Sequence, residues 1–339
     1  MDHPLTLISD LPCNHPPMKN LKVLLLSLPH LFRPWCQDVL DAINGKHEIT
    51  VYDDTRPIKD QFRDVNIVID QGGHVGTREM MNAAVTADLW QIMSIGYEHV
   101  DIDYIKSKGI PVANVPEQTS AVSLAQCALM FILTLAHRLN DCRQNFDAGH
   151  WLEPCGIELE GKTLGVVGLG ESGRRLAILG QALGMIVLGA NRTPLNQDTQ
   201  RSLHLTHTYP LNQLDTLIHK SDVVSLHLTL TDNTRSIIDA RRLGMMKPTA
   251  WLINVARGGL VDEAALCNAL INKKLGGAGL DVFVSEPPDV RHPVFSLPNV
   301  VVTPHIAGFT DGSSRKRAET IATNVDRVAQ GFEPSHLIN

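Results

Sequence analysis

The feature that most constrains the fold of this chain is a regular alternation: short apolar runs of strand character are separated, again and again, by segments with helical spacing. From the front the runs are "KVLLLS", "EITVY", "NIVID", "LWQIMS" and "IPVANV", with helical segments near 34–43, 78–87 and 102–108. A second block runs "KTLGVVGLG", "MIVLGAN", "DVVSLHL", "AWLINVA", "GGAGLDVF" and "NVVVTPHIAG", with helices expected near 172–183, 211–219, 240–246 and 263–272. Strand–helix alternation of this kind gives mostly parallel sheets with helices on both faces. At 339 residues the chain is too long for one ordinary core. The expected architecture is α/β, with two doubly wound parallel-sheet domains.

Between the blocks lies "AVSLAQCALMFILTLAHRL". So apolar a stretch predicts one long buried helix over about 120–149, the crossover from one domain to the other. The final helix, 313–331, has no strand after it and is expected to return to the first domain. That domain is then discontinuous, 1–118 plus 312–339, around a second domain of 119–311.

Composition narrows the function. A hydrophobic share of 43% with 19% charged residues is that of a soluble globular protein. A net charge of −6 leaves no basic footprint for nucleic acid, and no apolar run reaches the length of a membrane span. The six cysteines form no C-x-x-C pair, so neither a metal site nor a redox motif is expected, and a reducing compartment, the cytoplasm, fits. The first 17 residues show no basic, apolar signal-peptide order. They read as a loose extension or a misassigned start.

In "VVGLGESG" the pattern Gly168-x-Gly170-x-x-Gly173 follows a strand and opens a helix. In that setting, and hardly otherwise, the pattern points to a dinucleotide. The first glycine permits the tight turn, the second the approach of the pyrophosphate, the third close helix–strand packing. The helix N-terminus brings N–H donors and partial positive charge. At the end of the next strand an acid would bind both ribose hydroxyls of NAD and repel the 2′-phosphate of NADP. Here stand Asn191, Arg192 and Thr193. With the carboxylate gone and a guanidinium beside the gap, NADP(H) is the expected preference and NAD(H) the alternative.

Three further residues sit just past strand ends: Arg257 in "INVARGGLVDEAAL", Glu286 in "GLDVFVSEPP" and His305 in "NVVVTPHIAG". In open α/β sheets ligands bind there. Reducing a 2-oxo acid needs a fixed cation for the carboxylate, which an arginine fork supplies. It also needs a proton donor for the oxo oxygen, which histidine supplies, and a carboxylate to orient the imidazole and favour its protonated form. Taken singly, each residue is more simply a surface or turn residue. Their joint placement beside a dinucleotide loop makes the catalytic reading the stronger.

These stretches, with "IMSIGYEHVDIDYIKSKGIPVANVP" in the front block, closely resemble the D-isomer-specific 2-hydroxyacid dehydrogenases. The resemblance covers most of the chain from about Lys19. It implies a Rossmann domain inserted into a discontinuous, flavodoxin-like substrate domain, and a homodimer. It implies that Arg257 anchors substrate, that His305 is the acid/base and Glu286 its partner, and that Asp281 meets the nicotinamide carboxamide. Coenzyme contacts are implied for Gly168, Leu169, Gly170, Glu171, Ser172 and Gly173 in the glycine turn. They are also implied for Leu228 and Thr229 under the adenine, for Val255 and Ala256 near the nicotinamide, and for His305 and Gly308. Gly72, Gly73 and His74 resemble the loop whose N–H groups hold the substrate carboxylate.

The chain departs from the family pattern at Gln126 and Cys127 ("LAQCAL" for "VAEHAL"), at Asn191, at Thr229 ("HLTL" for "HLPL") and at His74. Retained Glu286 argues against formate dehydrogenase, and the short tail against a long phosphoglycerate dehydrogenase. An NADPH-dependent glyoxylate/hydroxypyruvate reductase is the leading expectation. Short phosphoglycerate, D-lactate-type, branched 2-ketoacid and phosphite dehydrogenases are the alternatives, and a nucleotide-sensing corepressor is a remote one.

Overall fold

Two parallel sheets organise the chain, as seen in a computed structural model that describes residues 18–72, 76–98, 100–193 and 195–338. The chain divides into two units, Met1–Pro116 with Ser314–Asn339, and Glu117–Ser313.

The first unit runs β1 (Lys22–Leu26), α1 (Trp35–Ile43), β2 (Glu48–Val51), α2 (Ile58–Gln61), β3 (Ile67–Asp70), α3 (Arg78–Ala83), β4 (Leu89–Ile92), α4 (Ile102–Ser107) and β5 (Val112–Ala113). Its five strands lie in the order β2-β1-β3-β4-β5, the flavodoxin-like arrangement. Alternate residues serve opposite faces. Leu24, Leu26, Val68 and Trp90 join one apolar layer, and Val23, Leu25, Ile67 and Ile69 the other. The chain's last helix completes the second layer with Ile321 and Val325.

The second unit opens with α5 (Ala121–Ala136) and α6 (Leu139–Asp147). It continues as β6 (Thr163–Val167), α7 (Glu171–Ala182), β7 (Ile186–Asn191), α8 (Gln197–Ser202), β8 (His207–Pro210), α9 (Leu214–Lys220), β9 (Val223–Leu226), α10 (Ala240–Met245), β10 (Trp251–Asn254), α11 (Glu263–Ile271), β11 (Gly277–Leu280) and β12 (Val300–Val302). The helix α12 (Asp311–Ala329) starts here and from Ser314 belongs to the first unit. The sheet order β12-β11-β10-β9-β6-β7-β8 reverses direction between β6 and β9, as in a Rossmann sheet. With helices on both faces, the central strands are buried: β9 and β10 are covered at every position.

The expected single helix over 120–149 is two helices, bent by 51°. The break falls at Arg138, whose φ of 52° lies in the left-handed region and ends one helix geometrically before the next begins. No single described helix is long and apolar enough to cross a membrane. The edge strand β8 was also not foreseen: "HTYP" offers Tyr209 alone as a buried residue, and its proline suits only an edge.

The helix α5 packs on β10, β11 and β12 with almost no spacing. A Cβ on Gly279 would stand 2.5 Å from Phe131 Cβ, whereas one on Gly244 in α10 meets nothing within 4 Å. Gly279→Ala should therefore cost about 1–3 kcal/mol by overpacking. Gly244→Ala should be neutral or gain roughly 0.5–1 kcal/mol from helix propensity. Urea denaturation of the two variants checks this, and equal midpoints would contradict the packing argument.

Candidate active site

The glycine loop lies at the point where the strand order reverses. Gly168 follows β6 with a φ of 98°, and a Cβ there would stand 2.5 Å from the carbonyl oxygen of His227. Gly173, in the first turn of α7, is equally constrained, because a Cβ would collide with the Gly168 carbonyl. Gly170 is different. A side chain at that position would meet nothing nearer than Glu117 Oε2 at 3.6 Å. Internal packing thus explains two of the three glycines. The open space above Gly170, at the uncapped N-terminus of a 12-residue helix, fits an incoming diphosphate. Leu169 is buried, and its carbonyl accepts from Arg174 Nε at 2.9 Å, which stiffens the loop.

At the end of β7 the Asn191 amide is committed inward. Its Oδ1 accepts from the Leu169 N–H at 3.4 Å and its Nδ2 donates to the Thr193 carbonyl at 2.9 Å. Arg192 and Thr193 are exposed. The side chain that replaces the expected acid braces the glycine loop instead of reaching outward.

The catalytic candidates come together at the carboxyl ends of β10, β11 and β12. His305 Nδ1 lies 2.6 Å from Glu286 Oε2, and the other carboxylate oxygen accepts the Phe283 N–H at 3.0 Å. Burial raises the Glu286 pKa. The His305 hydrogen bond, the Phe283 N–H and the charges of His305 and Arg257 outweigh it and hold the carboxyl below its ordinary range. The pair is therefore kept into mildly acid solution and is lost as pH falls through that depressed value. Arg257 is half-buried, and its guanidinium donates to the Ala256 carbonyl at 2.8 Å. Asn254 fixes this turn from below: its Nδ2 donates to the Arg257 carbonyl at 2.9 Å and its Oδ1 accepts from the Ala256 N–H at 3.1 Å.

Asp281 is 1% exposed, and its carboxylate is turned toward the loop that carries His305. It accepts from Thr303 Oγ1 at 2.5 Å and from the N–H groups of Ile306 and Ala307 at 2.8 Å each. His305 itself has a φ of 54°. That left-handed conformation is unfavourable for a side-chain-bearing residue by roughly 1–2 kcal/mol, and the three bonds to Asp281 hold it. The carboxamide contact implied for Asp281 is thus joined by a structural task that the sequence did not reveal.

The other expected site residues distribute as follows. Val255 and Ala256 are buried just past β10, Leu228 is half-buried and Thr229 exposed past β9, and Gly308 is half-buried past His305. Glu171 and Ser172 open α7, but the Ser172 hydroxyl is turned to His227 Nδ1, 3.0 Å away. Gln126 is exposed, whereas Cys127 is hydrogen-bonded to Thr303, and burial pushes its thiol up to about 12. In the first unit Gly72 has a φ of 95° and its N–H donates to Asp70 at 2.9 Å. Gly73 and His74 lie outside the described residues. Asn254 and His227 escaped the sequence reading, although both directly adjoin strand ends.

The family model described as "D-isomer specific 2-hydroxyacid dehydrogenase, NAD binding domain" matches residues 129–307. The chain is 36% identical over 271 residues to a glyoxylate reductase of Thermofilum pendens, covering 77% of each chain. It is 30% identical over 297 residues to a D-3-phosphoglycerate dehydrogenase of Methanocaldococcus jannaschii, covering 87% of this chain but only 56% of that longer relative. Among solved structures, a D-lactate dehydrogenase of Aquifex aeolicus complexed with NAD and lactic acid superposes with a TM-score of 0.74 at 30% identity, covering 91% of this chain and 96% of that one. With its Rossmann sheet, its glycine loop and this match over more than half its length, the chain belongs to the D-isomer specific 2-hydroxyacid dehydrogenases.

Proposed function

We propose that the chain is an NADPH-dependent reductase of small 2-oxo acids, glyoxylate and hydroxypyruvate foremost, running on D-2-hydroxy acids in reverse. The observation that carries the reading is the His305–Glu286 pair at 2.6 Å, set beside Arg257 at the strand ends of a dinucleotide-binding sheet. The glyoxylate reductase relative points to the smallest 2-oxo acid as substrate. The unit of Met1–Pro116 and Ser314–Asn339 serves in this reading as the substrate domain.

A nicotinamide, when bound, would supply the hydride. Arg257 holds the substrate carboxylate. The His305 Nε2–H faces the oxo oxygen and gives its proton to that oxygen as the hydroxyl forms. Glu286 fixes the ring through Nδ1, so that Nε2 is the atom left for the substrate. The glycine loop and the first turn of α7 would hold the diphosphate, and Val255 and Ala256 would border the nicotinamide.

The NADP preference rests on the inward commitment of Asn191 and the exposure of Arg192 and Thr193 next to it. The strand end carries Asn191 in place of an acid that would repel a 2′-phosphate, and the exposed Arg192 follows it. For a phosphoglycerate substrate an extra cation is needed near the loop past β3, where among the described residues Arg78 is the candidate. Arg78 there is held by Asp101 at 2.6 and 2.8 Å and lies over the Tyr104 ring. A symmetric homodimer belongs to the same reading, supported by the exposed Phe146, Trp151 and Leu152, of which Leu152 is 94% exposed. The cytoplasm is the compartment that unpaired cysteines such as Cys36 and Cys127 favour.

Oxidation of NADPH and of NADH should be compared on glyoxylate, hydroxypyruvate, pyruvate and a branched 2-oxo acid. The expected result is NADPH preference with the two small polar acids, and a roughly ten-fold or larger rise in NADPH KM on Arg192→Ala, with NADH little affected. Preference for NADH would move the D-lactate-type and phosphoglycerate readings ahead. His305→Asn should lower kcat by about 10²–10⁴-fold and leave NADPH Kd nearly unchanged. Equal losses in both would make His305 structural. Glu286→Gln should lower kcat for reduction by about ten-fold or more, because the ring loses the charged acceptor that holds it through Nδ1. An unchanged kcat would remove Glu286 from its role. Sedimentation at low concentration tests the dimer, and a monomer alone would refute it.

A further inference from the structure

Beneath the glycine loop lies a half-buried imidazole that the mechanism above leaves unused. His227 follows β9 directly, at the point where the sheet order reverses. Its ring stands between two hydroxyls, with Ser172 Oγ 3.0 Å from Nδ1 and Ser225 Oγ 3.0 Å from Nε2. Ser225 belongs to β9 and is fully buried in the sheet, whereas Ser172 is the second residue of α7 and only half-buried.

The order of donors along this row follows from what each group can satisfy. Among the described residues the Ser225 hydroxyl has one partner, His227 Nε2. Its hydrogen must go to that nitrogen, since a buried hydroxyl hydrogen without an acceptor is costly. Nε2 is therefore the acceptor. Burial drives the imidazole pKa down to about 4, so at neutral pH the ring carries a single hydrogen. That hydrogen sits on Nδ1 and points at Ser172 Oγ. The Ser172 oxygen is then an acceptor toward the protein, and its own hydrogen is left to be given elsewhere.

We propose that His227 is a positioning residue of the coenzyme site: by donating from Nδ1 to Ser172, it presets the Ser172 hydroxyl as a donor to a diphosphate oxygen at the N-terminus of α7. The inference rests on the reading that this unit binds a nicotinamide dinucleotide. It adds a hydroxyl donor, oriented from within the sheet, to the backbone N–H groups of the glycine turn. The opposite tautomer would draw the Ser172 hydrogen into Nδ1 and present only lone pairs to an anion.

The test combines a spectroscopic signature with a binding measurement. In enzyme labelled with ¹⁵N-histidine, the His227 signals are assigned by their loss in His227→Gln and independently by their displacement in Ser172→Ala. At neutral pH without coenzyme, Nδ1 should be of the protonated, pyrrole type and Nε2 of the bare, pyridine type. The reverse pattern, or a doubly protonated ring, overturns the proposal. Ser172→Ala should weaken NADPH and ADP-ribose by the same factor, about ten-fold or more, because both carry the diphosphate. Wild-type binding with an unchanged Kd in Ser172→Ala overturns this inference and leaves the coenzyme reading standing. Wild-type enzyme that binds neither NADPH nor NADH removes the coenzyme reading instead.

Discussion

The active-site geometry depends on one buried carboxylate. Asp281 directly follows β11 with almost no exposure and takes three hydrogen bonds from a loop that begins past the neighbouring strand. A carboxylate in such a place is tolerated only when its oxygens are well supplied with donors. The loop supplies them only when it turns sharply enough to bring Thr303, Ile306 and Ala307 to one point. That turn requires the left-handed φ of His305. The burial of Asp281 and the strained backbone of His305 are thus mutual conditions, and the direction of the imidazole follows from both. Cys127 on α5 extends the support by one step, through its hydrogen bond to Thr303.

The same logic of strand ends holding loops recurs around the sheet. Asn254 binds the turn of Arg257, Asn191 binds the glycine loop, and Glu286 accepts the Phe283 N–H while it meets His305. Each is a polar side chain at or near the carboxyl end of a strand, spent at least partly on backbone groups. Catalytic loops in α/β sheets must be irregular to reach a ligand, and their backbone groups then lose ladder partners. Short polar side chains at the strand ends supply those partners. The site residues keep their positions because their neighbours are satisfied.

Much of this was legible in the sequence, and the reasons differ by element. Strands buried on both faces leave unbroken apolar runs, so β1, β3, β6 and β9 were plain. A strand-turn-helix with glycines at fixed spacing marked the coenzyme loop, and position past strand ends singled out Arg257, Glu286 and His305. The bend between α5 and α6 was not visible, since neither glycine nor proline stands at Arg138. Nor was the role of His227. Its partners Ser172 and Ser225 lie 55 and 2 residues away, and only the pairing of β6 with β9 brings the first of them near. Asp281 was noticed for its resemblance to a coenzyme contact, while its bonds to residues 303–307 depend on the adjacency of β11 and β12.

Asn191 carries a consequence for anyone who would exchange one coenzyme for the other. An aspartate installed there could still accept the Leu169 N–H through an oxygen. It would have no donor for the Thr193 carbonyl, which the asparagine Nδ2 now reaches at 2.9 Å. Two oxygens would face each other across that gap, and the new carboxylate would swing away from the place where the ribose hydroxyls need it. On the NADP(H) reading, discrimination between the two dinucleotides would lie in a pair of positions and the loop between them, and a single exchange at 191 would disturb the loop at Thr193 before it altered selectivity.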